Sequence, residues 1–238
     1  MKAKAKENSI RLMDYVWIAA VAAPLDWLLS AGYATERRNQ IDMAQSTKPQ
    51  AGRAPLPESS NTTHVTTADA AGNIVAMTQT INAAFGSKVM VPGTGILLNN
   101  TMALFDPHPG QPNSVAGGRR MTSSMCPTII TREGQPVLAL GTPGGVRIFP
   151  SVLQAIINVL DHGMTLQEAV EAPRVRTQGQ EVEVEEAVPE GVCAALRARG
   201  HQIAMVKTVA GGMNGVQFDE AEGTMTGAAC WRADGMPI

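Results

Sequence analysis

The residues best suited to chemistry lie at one junction. The run Ser59-Ser60-Asn61-Thr62-Thr63-His64 ends a polar, proline-rich stretch and opens a β-branched one. A threonine hydroxyl is a weak nucleophile at neutral pH unless a base stands beside it, and a free α-amine on the same residue is one solution. A cleavage site between Asn61 and Thr62 would create that amine. Taken alone, Thr62 and Thr63 are also ordinary residues for the start of a strand. His64, two positions on, shares the face of Thr62 in an extended segment; it is expected to be structural. His108, His162 and His201 are dispersed, and Cys126, Cys193 and Cys230 lack the paired short spacing of a zinc site. No metal, no cofactor and no disulfide framework is expected.

The elements that must position this junction can be read on both sides of it. Tyr15 to about Met43 reads as a helical stretch, and its apolar run from Tyr15 to Tyr33, interrupted by Pro24 and Asp26, as a buried or amphipathic helix pair. Ala44 to Asn61 reads as an exposed, cleavable linker. From His64 the runs HVTTAD and NIVAMTQTIN form a hairpin with Gly72 at its turn. A loop rich in Pro, Gly and Asn follows, and Pro127–Thr131 with Val137–Leu140 make a second hairpin around REGQ. A helix then starts near Pro150, its buried face drawn from Val152, Leu153, Ile156, Ile157 and Leu160, with Gly163 at its stop. Thr165 to Glu168 is a capping box in form, and Pro173 ends the helix behind it. Glu181 to Glu186 alternates charge with valine, as a half-exposed strand would. Another helix spans about Pro189 to Arg199 with Gly200 as its stop, and a strand lies near Gln202 to Val206. Strand pairs, then helices, then short strands give a layered α/β (α+β) arrangement with antiparallel sheet.

Composition agrees with a globular fold of mixed α and β. In 238 residues, 44% are hydrophobic, enough for a core, and the 23 Gly and 15 Pro imply many tight turns. A net charge of −2 gives no basic excess for nucleic acid or an anionic membrane surface. The run from Tyr15 to Tyr33 is a poor membrane span, and Met1 to Arg11 lacks the pattern of a secretory signal.

The ordered motifs TTH at Thr62, TxTxN through Thr78, Thr80 and Asn82, GxLLNN ending at Asn100, RRMTSSM and TPGG resemble the gamma-glutamyltransferase family, and the match continues through Ala172-Pro173-Arg174. The resemblance implies a four-layer αββα N-terminal-nucleophile hydrolase sandwich. It divides the chain into residues 1–61, a C-terminal remnant of a large subunit with its cleavable linker, and residues 62–238, a small-subunit catalytic domain. It implies self-cleavage ahead of Thr62, which then forms an acyl ester that water or an acceptor amine resolves. Thr80 would hydrogen-bond the nucleophile and Asn82, on the same strand face as Thr80, would bind substrate. Ser123 and Ser124 would touch the substrate's carboxylate, and the backbone N–H groups of Gly144 and Gly145 would hold the oxyanion. The substrate class implied is γ-glutamyl amides such as glutathione, and the compartment periplasmic or secreted.

Two departures qualify that picture. Glutamyl-specific members carry glutamine at Thr101 and an aspartate, which grips the substrate's α-amino group, at Leu104. A leucine cannot pair an ammonium, so a des-amino acyl amide of the glutaryl or cephalosporin type is the alternative. Family precursors are also more than twice as long. The missing part is most of the large subunit, with its carboxylate-binding arginine, so a large-subunit-like polypeptide is the expected partner; an inactive, truncated subunit is the remaining alternative.

Overall fold

The computed structural model describes residues 25–46, 61–179 and 181–233. Its elements in chain order are α1 (Leu25–Leu28), α2 (Ala31–Asn39), β1 (Thr62–Ala68), β2 (Ile74–Thr80), β3 (Thr128–Arg132), β4 (Gln135–Gly141), α3 (Ile148–Leu160) and α4 (Leu166–Glu171). There follow β5 (Val175–Thr177), β6 (Val182–Glu185), α5 (Glu190–Ala198), β7 (Ile203–Val206), β8 (Asn214–Asp219) and β9 (Thr224–Ala229).

The first hairpin forms as local rules require. β1 and β2 pair antiparallel from Thr62↔Thr80 to Ala68↔Ile74. Gly72 takes φ 82° at the turn, while the Asp69 carboxylate accepts the Ala71 and Asn73 N–H groups. Alternation sends Thr62, His64 and Thr66, with Ala76, Thr78 and Thr80 opposite, to the more buried face. That face meets β4 and β8. The second sheet has the order β3-β4-β8-β9 and is antiparallel throughout.

Helices α3 and α4 cover the far side of the four-stranded sheet. Leu138 and Leu140 of β4 pack with Ile148, Val152, Ala155 and Val159 of α3 and with Leu166, Ala169 and Val170 of α4. Each large aliphatic chain so buried contributes about 1.5–3 kcal/mol. The mixed α/β architecture with antiparallel sheets is the expected one, and the described residues form its helix, sheet and hairpin layers. The buried stripe of α3 differs from the sequence expectation: Leu153 and Leu160 are 54% and 43% exposed. The helix is apolar almost all round, and the face carrying the small Ser151 and Ala155 is the one that lets its backbone approach the sheet.

The side sheet β5-β6-β7 is mixed. β5 and β6 are antiparallel, but β6 and β7 run parallel, because α5 supplies the crossover between them. The expected half-exposed strand at Glu181 to Glu186 is corrected at Glu185, which is 1% exposed and bonded to Arg232 and the Arg174 backbone. At the other end, α2 stops at Asn39, Ser30 accepts the Tyr33 N–H as its N-cap, and α2 holds no buried residue. Trp27 and Leu29 are exposed. Two short helices do form in the described part, and of the expected buried or amphipathic pair the buried alternative does not hold for α2; residues 15–24 and the linker at 47–60 lie outside the described residues.

Candidate active site

The register that ends the first hairpin sets Thr62 directly across from Thr80. Both side chains turn inward, and the Thr62 hydroxyl donates to Thr80 Oγ1 at 3.1 Å. Thr80 in turn donates to the carbonyl oxygen of Asn61 at 3.1 Å, and the Asn82 N–H donates to Thr80 Oγ1 at 2.9 Å. A hydroxyl has one proton and two lone pairs. Thr80 uses all three, so its proton is directed to the carbonyl of the Asn61–Thr62 peptide.

Thr62, Thr80 and Asn82 form one wall of a cavity of about 240 Å³. Thr101, Leu104, Ser123, Ser124 and Gly145 line it as well, joined by Met121, Thr122, Met125, Val146, Ile148 and Phe149. None of the lining residues is ionisable at neutral pH in the sense of a carboxylate, ammonium, guanidinium or imidazole. The polar surface is hydroxyl and amide; the rest is apolar. Sequence reasoning missed the methionines and Phe149. The signal available was the flanking of the serine pair by Met121 and Met125 and the place of Phe149 in the first turn behind TPGG.

Asn82 requires a correction. It does not continue the strand face of Thr80, because the chain leaves β2 at Thr80 and Asn82 takes φ 71°. A left-handed residue breaks the two-residue alternation on which that reading rested. Its amide Nδ2 donates to Asn100 Oδ1 at 3.1 Å. Beyond Asn100, a 3₁₀ turn from Thr101 to Leu104 presents two of the lining residues, and Asn99 Oδ1 anchors it by accepting from the Thr101 N–H and hydroxyl.

The second wall is the turn after β4. Gly144 takes φ 138° and Gly145 φ 59°, conformations that L side chains rarely adopt. Gly145 lines the cavity. Gly144 does not; it backs onto Ala210, whose Cα would lie 2.6 Å from a Cβ at position 144. Ser124 donates to the Gly145 carbonyl at 2.7 Å, so this serine braces the turn, while the Ser123 hydroxyl accepts the Met125 N–H. Arg147, two residues past the glycines, is held by Glu183 through paired contacts of 2.8 and 2.7 Å. The Arg147 guanidinium keeps the Glu183 carboxyl below the usual range.

Behind the turn lies a buried ionic cluster that the sequence did not announce. Glu185 accepts from Arg232 Nε at 2.7 Å and from the Val209 and Arg174 N–H groups. Arg174 donates to the Val209 and Gly211 carbonyls. The segment it fixes is the one that meets Gly144, since the Gly211 N–H also donates to the Pro143 carbonyl at 2.8 Å. Burial lowers the Arg174 pKa to about 10, with the Arg232 charge adding to the effect. Burial raises the Glu185 pKa, but the hydrogen bonds from Arg232, Val209 and Arg174 outweigh it and the net shift is downward.

His64 is structural in its contacts. Its ring nitrogens lie 2.7 Å from Thr78 Oγ1 and 3.0 Å from Thr66 Oγ1, and burial lowers its pKa to about 4. It lies between the sheets, and a Cβ at Gly141 would overlap its ring. Among the described residues there is no cluster of three His, Cys, Asp or Glu able to hold a metal, and no helix long and apolar enough to cross a membrane.

Comparison with known proteins gives the family of the chain. The family model for gamma-glutamyltranspeptidase matches residues 1–238. The chain is 54% identical over 220 residues to an "Acylase ACY 1 proenzyme" of Pseudomonas sp. strain SE83, covering 92% of this chain and 39% of that protein. It is 36% identical over 236 residues to the "Glutathione hydrolase proenzyme" of Bacillus subtilis strain 168, covering 92% and 40%. Among solved structures, the cephalosporin acylase from Bacillus halodurans superposes with a TM-score of 0.81 at 32% identity, over 90% of this chain and 39% of that one. The chain thus spans about two fifths of the length of these relatives. A hairpin ending in paired threonines, a glycine turn facing it and a match over the full length lead to one conclusion: the chain belongs to the gamma-glutamyltranspeptidase family.

Proposed function

We propose that Thr62 is the nucleophile of a self-processing amidohydrolase or acyltransferase, that residues 62–238 form its catalytic subunit, and that its preferred acyl group lacks an α-ammonium. The observation that carries the reading is the Thr62–Thr80–Asn61 hydrogen-bond chain at the wall of a cavity with Leu104 in its lining.

In maturation, Thr62 Oγ attacks the Asn61 carbonyl carbon. The carbonyl carries the Thr80 proton donor, which stabilises the charge that develops on its oxygen. The Asn61–Thr62 C–N bond breaks, and the hydroxyl proton passes to the departing Thr62 nitrogen. Water then hydrolyses the ester, leaving an Asn61 carboxylate and a Thr62 residue with a free amine and hydroxyl. In turnover the amine takes up the hydroxyl proton as Oγ attacks the substrate amide, and the proton goes to the leaving amine. The amide of Gly145, at the cavity wall, is the oxyanion donor in this scheme, and Gly144 shapes the turn behind it. The acyl ester is resolved by water or an acceptor amine.

Leu104 and the uncharged lining favour acyl groups without an ammonium, because a desolvated charge without a partner is costly. The greater identity to the Pseudomonas acylase points the same way. The second reading, γ-glutamyl amides such as glutathione, rests on the similarity to the B. subtilis glutathione hydrolase. Under either reading a large-subunit-like polypeptide is the proposed partner. Val65, Val75 and Met77 on the outer hairpin face are 39–54% exposed, as a face awaiting a further layer would be.

The test is co-expression of the chain with such a polypeptide. A product beginning at Thr62, and loss of both that product and turnover in Thr62→Ala, are expected; an intact, active chain or a mature Thr62→Ala would overturn the proposal. Hydrolysis of glutaryl against γ-glutamyl anilides decides the substrate, and a strong γ-glutamyl preference would reject the des-amino reading.

A further inference from the structure

We infer that Asn100 is a positioning residue for self-cleavage, acting through the left-handed turn at Asn82; this rests on the proposal that the Asn61–Thr62 peptide is the one cut. The direction of the hydrogen-bond chain at Thr80 depends on the Asn82 N–H. That N–H occupies one Thr80 lone pair and the Thr62 hydroxyl the other, which leaves the Thr80 proton for the Asn61 carbonyl. If the Asn82 N–H turned away, Thr80 could rotate and donate elsewhere, and the carbonyl would lose its activated state.

The Asn82 N–H does not hold that direction on its own. Asn82 sits at φ 71°, and such a residue persists where its surroundings over-determine it. Those surroundings are chiefly Asn100, by side chain and backbone, beside a long donation from Asn61 Nδ2 to the Asn82 carbonyl at 3.5 Å. Asn100 Oδ1 accepts from Asn82 Nδ2 at 3.1 Å and from the Ala83 N–H at 2.9 Å. The Asn100 N–H donates to the Ile81 carbonyl, and the Asn100 carbonyl accepts weakly from Asn82 Nδ2 at 3.4 Å. Residue 100 therefore grips positions 81, 82 and 83 in turn. It touches neither Thr62 nor the peptide to be cut; its effect is transmitted by the backbone of Asn82. The Leu98-Asn99-Asn100 motif thus divides its labour: Asn99 anchors the turn that carries Thr101 and Leu104, and Asn100 anchors the turn that orients Thr80.

The side-chain oxygen of Asn100 acts only as an acceptor, which makes the inference separable from a general packing role. Asn100→Asp keeps that oxygen, whereas Asn100→Leu is close in size and removes it. In the full chain co-expressed with its large-subunit partner, cleavage ahead of Thr62 should slow about 10- to 100-fold in Asn100→Leu, a loss of one to two tenfold steps in the barrier. Asn100→Asp should stay within a few-fold of the unsubstituted chain, and thermal unfolding of both should remain cooperative. Cleavage of Asn100→Leu at the unsubstituted rate would overturn the inference, as would equal slowing in both variants. Slowing that accompanies loss of the folded state in both would assign Asn100 to stability alone and overturn it too. Failure of the unsubstituted chain to cleave at Thr62 would instead defeat the proposed function, so the two failures are distinct.

Discussion

At the scale of single residues, the catalytic proposal turns on groups whose hydrogen-bonding capacity is fully used. Thr80 is the clearest case, and its substitution by valine, which keeps the shape and removes the hydroxyl, should slow cleavage about 10- to 100-fold; time-resolved gel analysis checks this. Under the des-amino proposal, Leu104 is the lining residue that selects substrate charge. Leu104→Asp should raise kcat/KM for a γ-glutamyl anilide relative to the glutaryl one by at least about tenfold, since a paired, desolvated charge differs from an unpaired one by several kcal/mol. Gly144→Ala should destabilise the fold by about 3 kcal/mol or more, because it combines a disfavoured φ with a backbone collision at Ala210; calorimetry measures it. Part of this was legible from residue types: Thr62, Thr80, Ser123, Ser124 and Gly145 do line one cavity, whereas Gly144 stands behind it and Thr78 of the same motif meets His64 instead. The conformation of Asn82 was not legible, because the partner that holds it is 18 positions away and alternation in a strand says nothing about where the strand stops.

At the scale of elements, local rules carried furthest. The Gly72 hairpin, the Thr165–Glu168 capping box and the Gly200 stop each depend on residues within a few positions, and each forms. Long-range polar pairing is where sequence pattern failed. Glu185 alternates with valine as an exposed strand residue would, yet its partners Arg232 and Val209 are 47 and 24 positions away. Glu185→Gln should therefore cost about 3–5 kcal/mol, because it leaves two buried guanidinium groups short of a counter-charge; denaturant midpoints measure that. Between the sheets, His64 gives the fold a dependence on acid. Its pKa is lowered to about 4 from an ordinary 6.5, so the unfolded chain binds a proton over that range that the folded chain refuses. Its contribution is complete above about pH 6.5 and falls as the pH drops toward 4. With residual access to water discounted, the loss is about 1–2 kcal/mol, and His64→Asn should flatten that part of the stability profile.

At the scale of the whole molecule, the chain is arranged as layers whose outermost described member is a two-stranded hairpin. Such a ribbon is marginal unless something packs on it, and among the described residues the four-stranded sheet covers the side that carries His64. Amide exchange in β1 and β2 should slow when the proposed large-subunit-like polypeptide is added, and exchange in α3 should change little. The proposed nucleophile belongs to this ribbon, so whatever fixes the ribbon's height above the sheet also fixes Thr62. That spacer is the His64 imidazole, which rests on Gly141 where a β-carbon would leave it no room. A single methyl group at Gly141 should thus act like a shim under a hinge, lifting the ribbon and silencing maturation from a place that meets no substrate. Shrinking the wedge by His64→Ser in the same chain should restore cleavage in Gly141→Ala, and a screen for revertants of Gly141→Ala would be expected to return changes at residue 64.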